Sequence, residues 1–304
     1  MRKFIYFFPL LFFSFPSILL AQKKTEIIWD NYGVPHIYAD NEKEMFYAFG
    51  WSQMQNHANL LLELFAQARG RASEYIGQQF LPSDKQIHLF NIPDSAASHY
   101  NKYRGNGKIY LDAFVKGMND YADVHSDKVD NVLKAILPIQ PTDIIAHEIR
   151  ILCLEFLGRS DIYYSSMELS KGSNAYAIAP SKSASKNAML VINPHMMWSD
   201  YSLFLEAHLT APGINIYGAS LVGQYNLIFG FNEHLGWTHT VNTIDAADTY
   251  VLTLQDGGYL LDGKTTSFDK KTVTFKVKQK DGSFIQQEIE FKYSKHGPVV
   301  GEKN

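Results

Sequence analysis

The feature that most constrains the fold is a change of texture at Lys171-Gly172-Ser173. Before it the hydrophobic period is helical; after it the chain reads as strands. Asn41 offers an N-cap with Glu44 three residues on, a pairing that marks helix starts. Met54, Leu61, Leu62, Phe65 and Ala68 then recur at helical spacing. A second helix is predicted over 108–122, where Tyr110, Phe114, Met118 and Tyr121 share a face. A third is predicted over 142–157, behind Pro138 and Pro141 with Thr142 as its cap. Ahead of all three, residues 25–37, TEIIWDNYGVPHI, read as extended chain broken by an Asn-Tyr-Gly turn. Beyond the boundary, 173–179, 188–192, 203–209, 214–222 and 248–254 read as strands. Residues 272–278 and 285–293 flank Asp281-Gly282, a strong hairpin signal. Helices followed by strands make an α+β chain.

The N-terminus is a separate object. Met1-Arg2-Lys3 is basic, Phe4 to Leu20 is almost wholly apolar, and Ala21-Gln22 follows. This is the pattern of a secretory signal peptide, residues 1–21. A retained anchor fits less well, because Pro9 and Pro16 interrupt a run barely long enough to span a bilayer. The mature chain is therefore expected to be exported, periplasmic or secreted, with no membrane partner. A formal net charge of −3 without basic blocks argues against nucleic acid as a partner. Cys153 is the only cysteine, which rules out an intramolecular disulfide and a cysteine-rich zinc site. With 46% hydrophobic residues, the chain can bury a sizeable core.

The common catalytic motifs are absent: no GxSxG elbow, HExxH, P-loop or GxGxxG stands in the chain. At the boundary itself stands Gly172-Ser173-Asn174, which taken alone is turn chemistry. Its weight comes from its company. Downstream follow Asn193-Pro194-His195, Phe229-Gly230-Phe231-Asn232, Trp237-Thr238-His239-Thr240-Val241-Asn242, and then Asp245 and Asp248. Upstream stand Asp30-Asn31-Tyr32-Gly33-Val34-Pro35-His36-Ile37, Gly70-Arg71-Ala72-Ser73-Glu74 and Ala113-Phe114-Val115-Lys116-Gly117-Met118-Asn119; His296-Gly297-Pro298-Val299-Val300 comes near the end. In this order and spacing, these segments resemble the penicillin acylase family of N-terminal-nucleophile hydrolases, over nearly the whole mature chain.

The resemblance implies a four-layer αββα sandwich, here incomplete at the C-terminal side. It divides the precursor into an α-chain region, 22–172 with any short spacer, and the N-terminal part of a β chain, 173–304. The α region is expected to wrap around the sheet that Ser173 begins. The precursor would cut itself between Gly172 and Ser173. That cut has a physical logic, because a serine hydroxyl needs a base beside it. A new α-amine on the same residue, with a reference pKa of about 7.7–8.0, can supply one.

By the same resemblance, His195 would position the Ser173 amine and hydroxyl, and the Val241 N–H would donate to the oxyanion hole. Met196, Ile228 and Phe229 would line the acyl pocket. Asp245 and Asp248, the Ala247 carbonyl and, as a further ligand, Glu168 would form a structural calcium site or else a solvated acidic loop without metal, with no cofactor needed for the chemistry. Oxygen-rich spacing of this kind suits calcium. The substrate would be a small N-acylated molecule: an acyl-homoserine lactone or lipopeptide, favoured by His195, or a β-lactam. The partners would be the α and β chains of one precursor.

Family β chains run longer than 173–304, and the asparagine that completes their oxyanion hole has no counterpart before Asn304. The sequence is therefore read as a truncated precursor or fragment. An inactive family member, or a periplasmic binding module that keeps the acyl pocket, is the alternative to an active amidohydrolase.

Overall fold

A computed structural model of the chain describes residues 25–157, 172–242 and 246–301. The expected signal peptide, Glu168 and Asp245 lie outside the described residues. Strands β1 (Glu26–Trp29) and β2 (Pro35–Tyr38) form a hairpin, and its turn carries Gly33 at φ +79°. Six helices follow: α1 (Glu42–Ala68), α2 (Ala72–Tyr75), α3 (Leu81–Leu89), α4 (Ile92–Lys102), α5 (Asn106–Val124) and α6 (Pro141–Arg150). Helix α1 starts as its sequence directs, with the Asn41 side chain accepting from the Glu44 N–H at 3.0 Å. It bends at His57, whose φ of −140° leaves the helical region.

Helix α5 lies close against α1 because two glycines let the backbones touch. A Cβ at Gly50 would sit 2.0 Å from the Phe114 carbonyl oxygen, and one at Gly117 would sit 2.0 Å from that of Tyr47. Leu61, Leu62, Phe65, Phe114 and Met118 close the core between and around these helices. The helix predicted over 142–157 is two pieces, α6 and a π-helical turn over Ile151–Leu157. Its cap is Gln140 rather than Thr142. Pro141 takes the first helical position, where a missing N–H costs nothing. The Asp143 carboxylate then accepts from the Gln140 N–H at 2.6 Å.

Beyond the boundary the strands are β3 (Ser173–Ile178), β4 (Met189–Pro194), β5 (Phe204–Ala211), β6 (Ile214–Leu221), β7 (Phe229–Phe231) and β8 (Gly236–Trp237). The remainder are β9 (Leu254–Gln255), β10 (Gly258–Leu261), β11 (Lys264–Thr266), β12 (Asp269–Lys278), β13 (Phe284–Ser294) and β14 (Gly297–Pro298). The strand expected over 248–254 is mostly irregular chain, and only its last residue enters β9. The Asp281-Gly282 hairpin stands as read, with Gly282 at φ +84°.

The largest sheet has the order β1-β2-β5-β6-β7-β8. Its β2–β5 contact is parallel, with His36 opposite His208. The α region was expected to wrap around the sheet begun by Ser173; instead it contributes two strands of its own to the largest sheet. Among the described residues the Ser173 strand pairs with β4 alone. Strand alternation gives the large sheet two distinct faces. Leu205, Ala207, Leu209 and Ala211 of β5 are buried with Ile37 of β2 in the core that α1 dominates. His36, Tyr38, His208 and Tyr217 take the opposite face.

Buried polar bonds tie the two regions together. The Gln53 amide donates to the Gln224 carbonyl at 2.7 Å and its oxygen accepts from the Gly223 N–H at 2.9 Å. The His147 Nε2–H donates to the Val222 carbonyl at 3.1 Å. The long β12–β13 hairpin packs Phe275, Val277 and Phe291 against Leu81 and Leu89, and Lys271 reaches Asp94 at 2.7 Å. Helices together with largely antiparallel sheets make the chain α+β.

Candidate active site

The chemistry of the boundary is set by an antiparallel hairpin. In the β3–β4 ladder Ser173 faces Pro194 and Asn174 faces Asn193. Asn193 and His195 are two residues apart and therefore point to the same side. Register and alternation together collect Gly172, Ser173, Asn174, Asn193 and His195 at one end of the ladder.

Two donors converge on the Gly172 carbonyl oxygen. The Ser173 hydroxyl donates at 2.6 Å, and the His195 backbone N–H donates at 3.0 Å. A Cβ on Gly172 would lie 3.4 Å from His195 Nδ1, so the imidazole lies directly beside this peptide. Its far nitrogen, Nε2, is 3.0 Å from Asn193 Oδ1 and 3.2 Å from Asn174 Nδ2. Only Asn193 Oδ1 is an acceptor, and Asn174 Nδ2 also donates to it, at 3.3 Å. A proton on Nε2 is received by Asn193, and a bare Nε2 accepts from Asn174, so these two amides hold the ring in either tautomer. The arrangement gathers a hydroxyl, a doubly hydrogen-bonded carbonyl and an imidazole at one peptide bond, groups suited to acid–base chemistry there. Ser173 is half-buried and His195 is exposed.

The other expected residues are distributed differently. Val241 lies in irregular chain, 38% exposed, beside the undescribed 243–245. Met196 is half-buried against the helical core. Phe229 is buried, its ring 5.0 Å from that of Phe204. Half-buried Ile228 donates its N–H to the Ala219 carbonyl at 2.8 Å. Two open depressions of about 770 and 550 Å³ lie elsewhere, at the bend of α1 and between α3 and Tyr201. Neither is lined by Met196, Ile228 or Phe229.

Of the expected calcium ligands, Asp245 and Glu168 are outside the described residues, while Asp248 is exposed and Ala247 half-buried. Among the described residues no group of three or more carboxylate, imidazole or thiol side chains converges, so Asp248 and the Ala247 carbonyl do not by themselves make a cage for the ion. Cys153 does not compete as a nucleophile, because burial pushes its thiol up and keeps it protonated.

Sequence reasoning missed the two asparagines. Their meeting depends on the register that sets Ser173 opposite Pro194, which the two tripeptides do not themselves specify.

The chain is similar to known proteins over most of its length. The penicillin amidase family model matches residues 24–304. An acyl-homoserine lactone acylase PvdQ of Pseudomonas fluorescens is 27% identical over 94% of this chain and 42% of its own length. That of Pseudomonas savastanoi pv. phaseolicola is 28% identical over 94% of this chain and 44% of its own length. The aculeacin-A acylase of Actinoplanes utahensis is 31% identical over 42% of this chain and 16% of its own length. A thermostable penicillin G acylase from Alcaligenes faecalis aligns in structure over 44% of this chain and 74% of that one, at 17% identity and a TM-score of 0.39. The chain thus spans less than half the length of the curated acylases it matches.

Proposed function

The chain belongs to the penicillin amidase family, and on that premise we propose that it is part of an exported amidohydrolase whose nucleophile is Ser173. Residues 1–21 direct export, to the periplasm or beyond, and are removed. The remaining precursor cuts itself between Gly172 and Ser173, separating an α-chain region, 22–172, from a β region that starts at Ser173. The observation that carries this reading is the pair of donors on the Gly172 carbonyl, the Ser173 hydroxyl at 2.6 Å and the His195 N–H at 3.0 Å.

In the proposed sequence the Ser173 oxygen attacks the Gly172 carbonyl carbon and displaces the Ser173 nitrogen, which leaves as a free amine. Water then releases Gly172 from the ester. The freed α-amine becomes the base that the hydroxyl otherwise lacks, with His195 positioning both. In turnover the same oxygen takes an acyl group from an amide and water frees it. The Val241 N–H serves as one oxyanion donor, and Met196, Ile228 and Phe229 border the acyl chain. The supported substrate class is an N-acylated small molecule, an acyl-homoserine lactone or lipopeptide ahead of a β-lactam. That order rests on His195 and on what the matched relatives are named for. Calcium, held by Asp245, Asp248, the Ala247 carbonyl and Glu168, would have a structural task only.

The test is intact-mass analysis of chain expressed from residue 22, beside amine-release assays with a long-chain acyl-homoserine lactone and a penicillin. A fragment beginning at Ser173, absent in Ser173→Ala, is expected. Cleavage that persists in Ser173→Ala removes Ser173 as nucleophile. Saturable acyl-lactone binding without amine release would favour the binding-module alternative.

A further inference from the structure

The face of the large sheet that points away from α1 carries two histidines 172 residues apart in the chain. His36 of β2 and His208 of β5 are opposite one another in a parallel pair, and their Nδ1 atoms are 3.0 Å apart. The rings meet edge-on, with centroids 5.2 Å apart and planes 85° apart.

The protons can be assigned from the outer nitrogens. His36 Nε2 is 3.5 Å from Asp30 Oδ2. Asp30 is held in place because its other oxygen accepts from the N–H groups of Tyr32 at 2.8 Å and Val34 at 2.9 Å. A carboxylate only accepts, so at this ion-pair distance Asp30 favours a proton on His36 Nε2. His208 Nε2 is 2.7 Å from Asn215 Oδ1 and 3.3 Å from the Thr210 hydroxyl, which can accept from it or donate to it. The Asn215 amide cannot be turned round, because its Nδ2 donates to Glu233 at 3.1 Å; His208 Nε2 is therefore also the donor. Two neutral imidazoles protonated at Nε2 each present a bare Nδ1 lone pair, and here the two Nδ1 atoms are in contact. That contact is repulsive unless a cation joins them.

We propose that His36 and His208 form a two-histidine site for a borderline divalent transition-metal ion, copper(II) or zinc(II), bound through both Nδ1 atoms. Metal-binding histidines characteristically donate their second N–H to a carboxylate or carbonyl oxygen, which fixes tautomer and ring. Asp30 and Asn215 do this for the two rings. With metal–nitrogen bonds of 2.0–2.1 Å, the 3.0 Å separation corresponds to a nitrogen–metal–nitrogen angle of about 95°, a cis arrangement that suits tetragonal copper(II) better than tetrahedral zinc. Tyr38 and Tyr217 flank His208, with ring centroids 5.8 and 6.3 Å away. The remaining coordination positions are left to water. The site is independent of the calcium ligands and of Ser173.

The experiment is titration of the full chain with copper(II) sulfate and, separately, zinc sulfate at neutral pH, followed by calorimetry and, for copper, by electron paramagnetic resonance. One saturating equivalent is expected, with a copper spectrum split by two nitrogens and zinc binding more weakly. His36→Gln and His208→Gln should each remove that equivalent. Asp30→Asn, which keeps both ligands and the turn, should weaken it about tenfold. Absence of saturable uptake overturns the proposal and leaves a shared proton as the cation between the rings. Uptake that persists in both histidine variants also overturns it. Should those variants misfold, the nitrogen count in the unaltered chain decides by itself: fewer than two overturns the assignment.

Discussion

At the residue scale, the position of one proton on His195 determines what that ring can do. Asn193 Oδ1 stands 3.0 Å from Nε2, so Asn193→Ala frees the ring to rotate and to exchange tautomers without removing it. Self-cleavage before Ser173 should slow about tenfold in that variant, and by about 10²–10⁴ in His195→Ala, as for loss of a positioned acid–base group; time-resolved mass spectrometry reads both. A second histidine governs acid stability. His147 is fully buried, and burial first, then the charge of Arg150, bring its pKa down to about 3. The unfolded chain takes up this proton near pH 6.5 while the folded chain does not. Stability should therefore be fully present above about pH 6.5 and fall by up to about 1.4 kcal/mol per pH unit below it, until the folded group titrates near 3. In His147→Gln, which keeps a donor for the Val222 carbonyl, urea unfolding at several pH values should show a slope smaller by one proton.

At the element scale, the α1–α5 pair rests on contact between backbones. A methyl group at Gly117 would lie 2.0 Å from the Tyr47 carbonyl oxygen, and the obstacle is backbone, which cannot swing aside. Gly117→Ala should cost about 1–3 kcal/mol in urea unfolding despite its better helix propensity. Elements with a strong local period were legible in the sequence. The α1 start at Asn41, the helix over 108–122, the early hairpin and the Asp281-Gly282 turn all stand close to where their residues put them. The failures share a cause as well. Helices α3 and α4 carry only Asp84, Ile87, Ile92 and Ala96 as buried residues, too sparse a stripe to show as a period. The run at 248–254 is β-prone by composition, yet Tyr250, Val251 and Leu254 remain exposed, and without burial composition does not make a ladder. At the site, Ser173 and His195 were legible because they stand in motifs. Asn174 and Asn193 were not, because their meeting is a fact of register rather than of type.

At the scale of the whole molecule, the large sheet joins the two regions that a cut before Ser173 would separate. Strands β1 and β2 come from one side of that bond and β5 to β8 from the other, with the buried Gln53 and His147 bonds as further ties. Cleaved protein should therefore elute from a sizing column as one species and separate into two chains only in denaturant; two peaks under native conditions would contradict this architecture. The parallel β2–β5 contact also has a consequence in time. His36 and His208 are 172 residues apart, so at 5–20 residues per second of synthesis the β2 edge waits roughly 10–30 s before its partner strand exists. Helices α1 to α6 all emerge in that interval and can settle in far less time. The unpaired edge is the slowest debt of the growing chain, and its hazard, pairing with a neighbouring copy, is greatest in the first half-minute of the molecule's existence rather than in its working life.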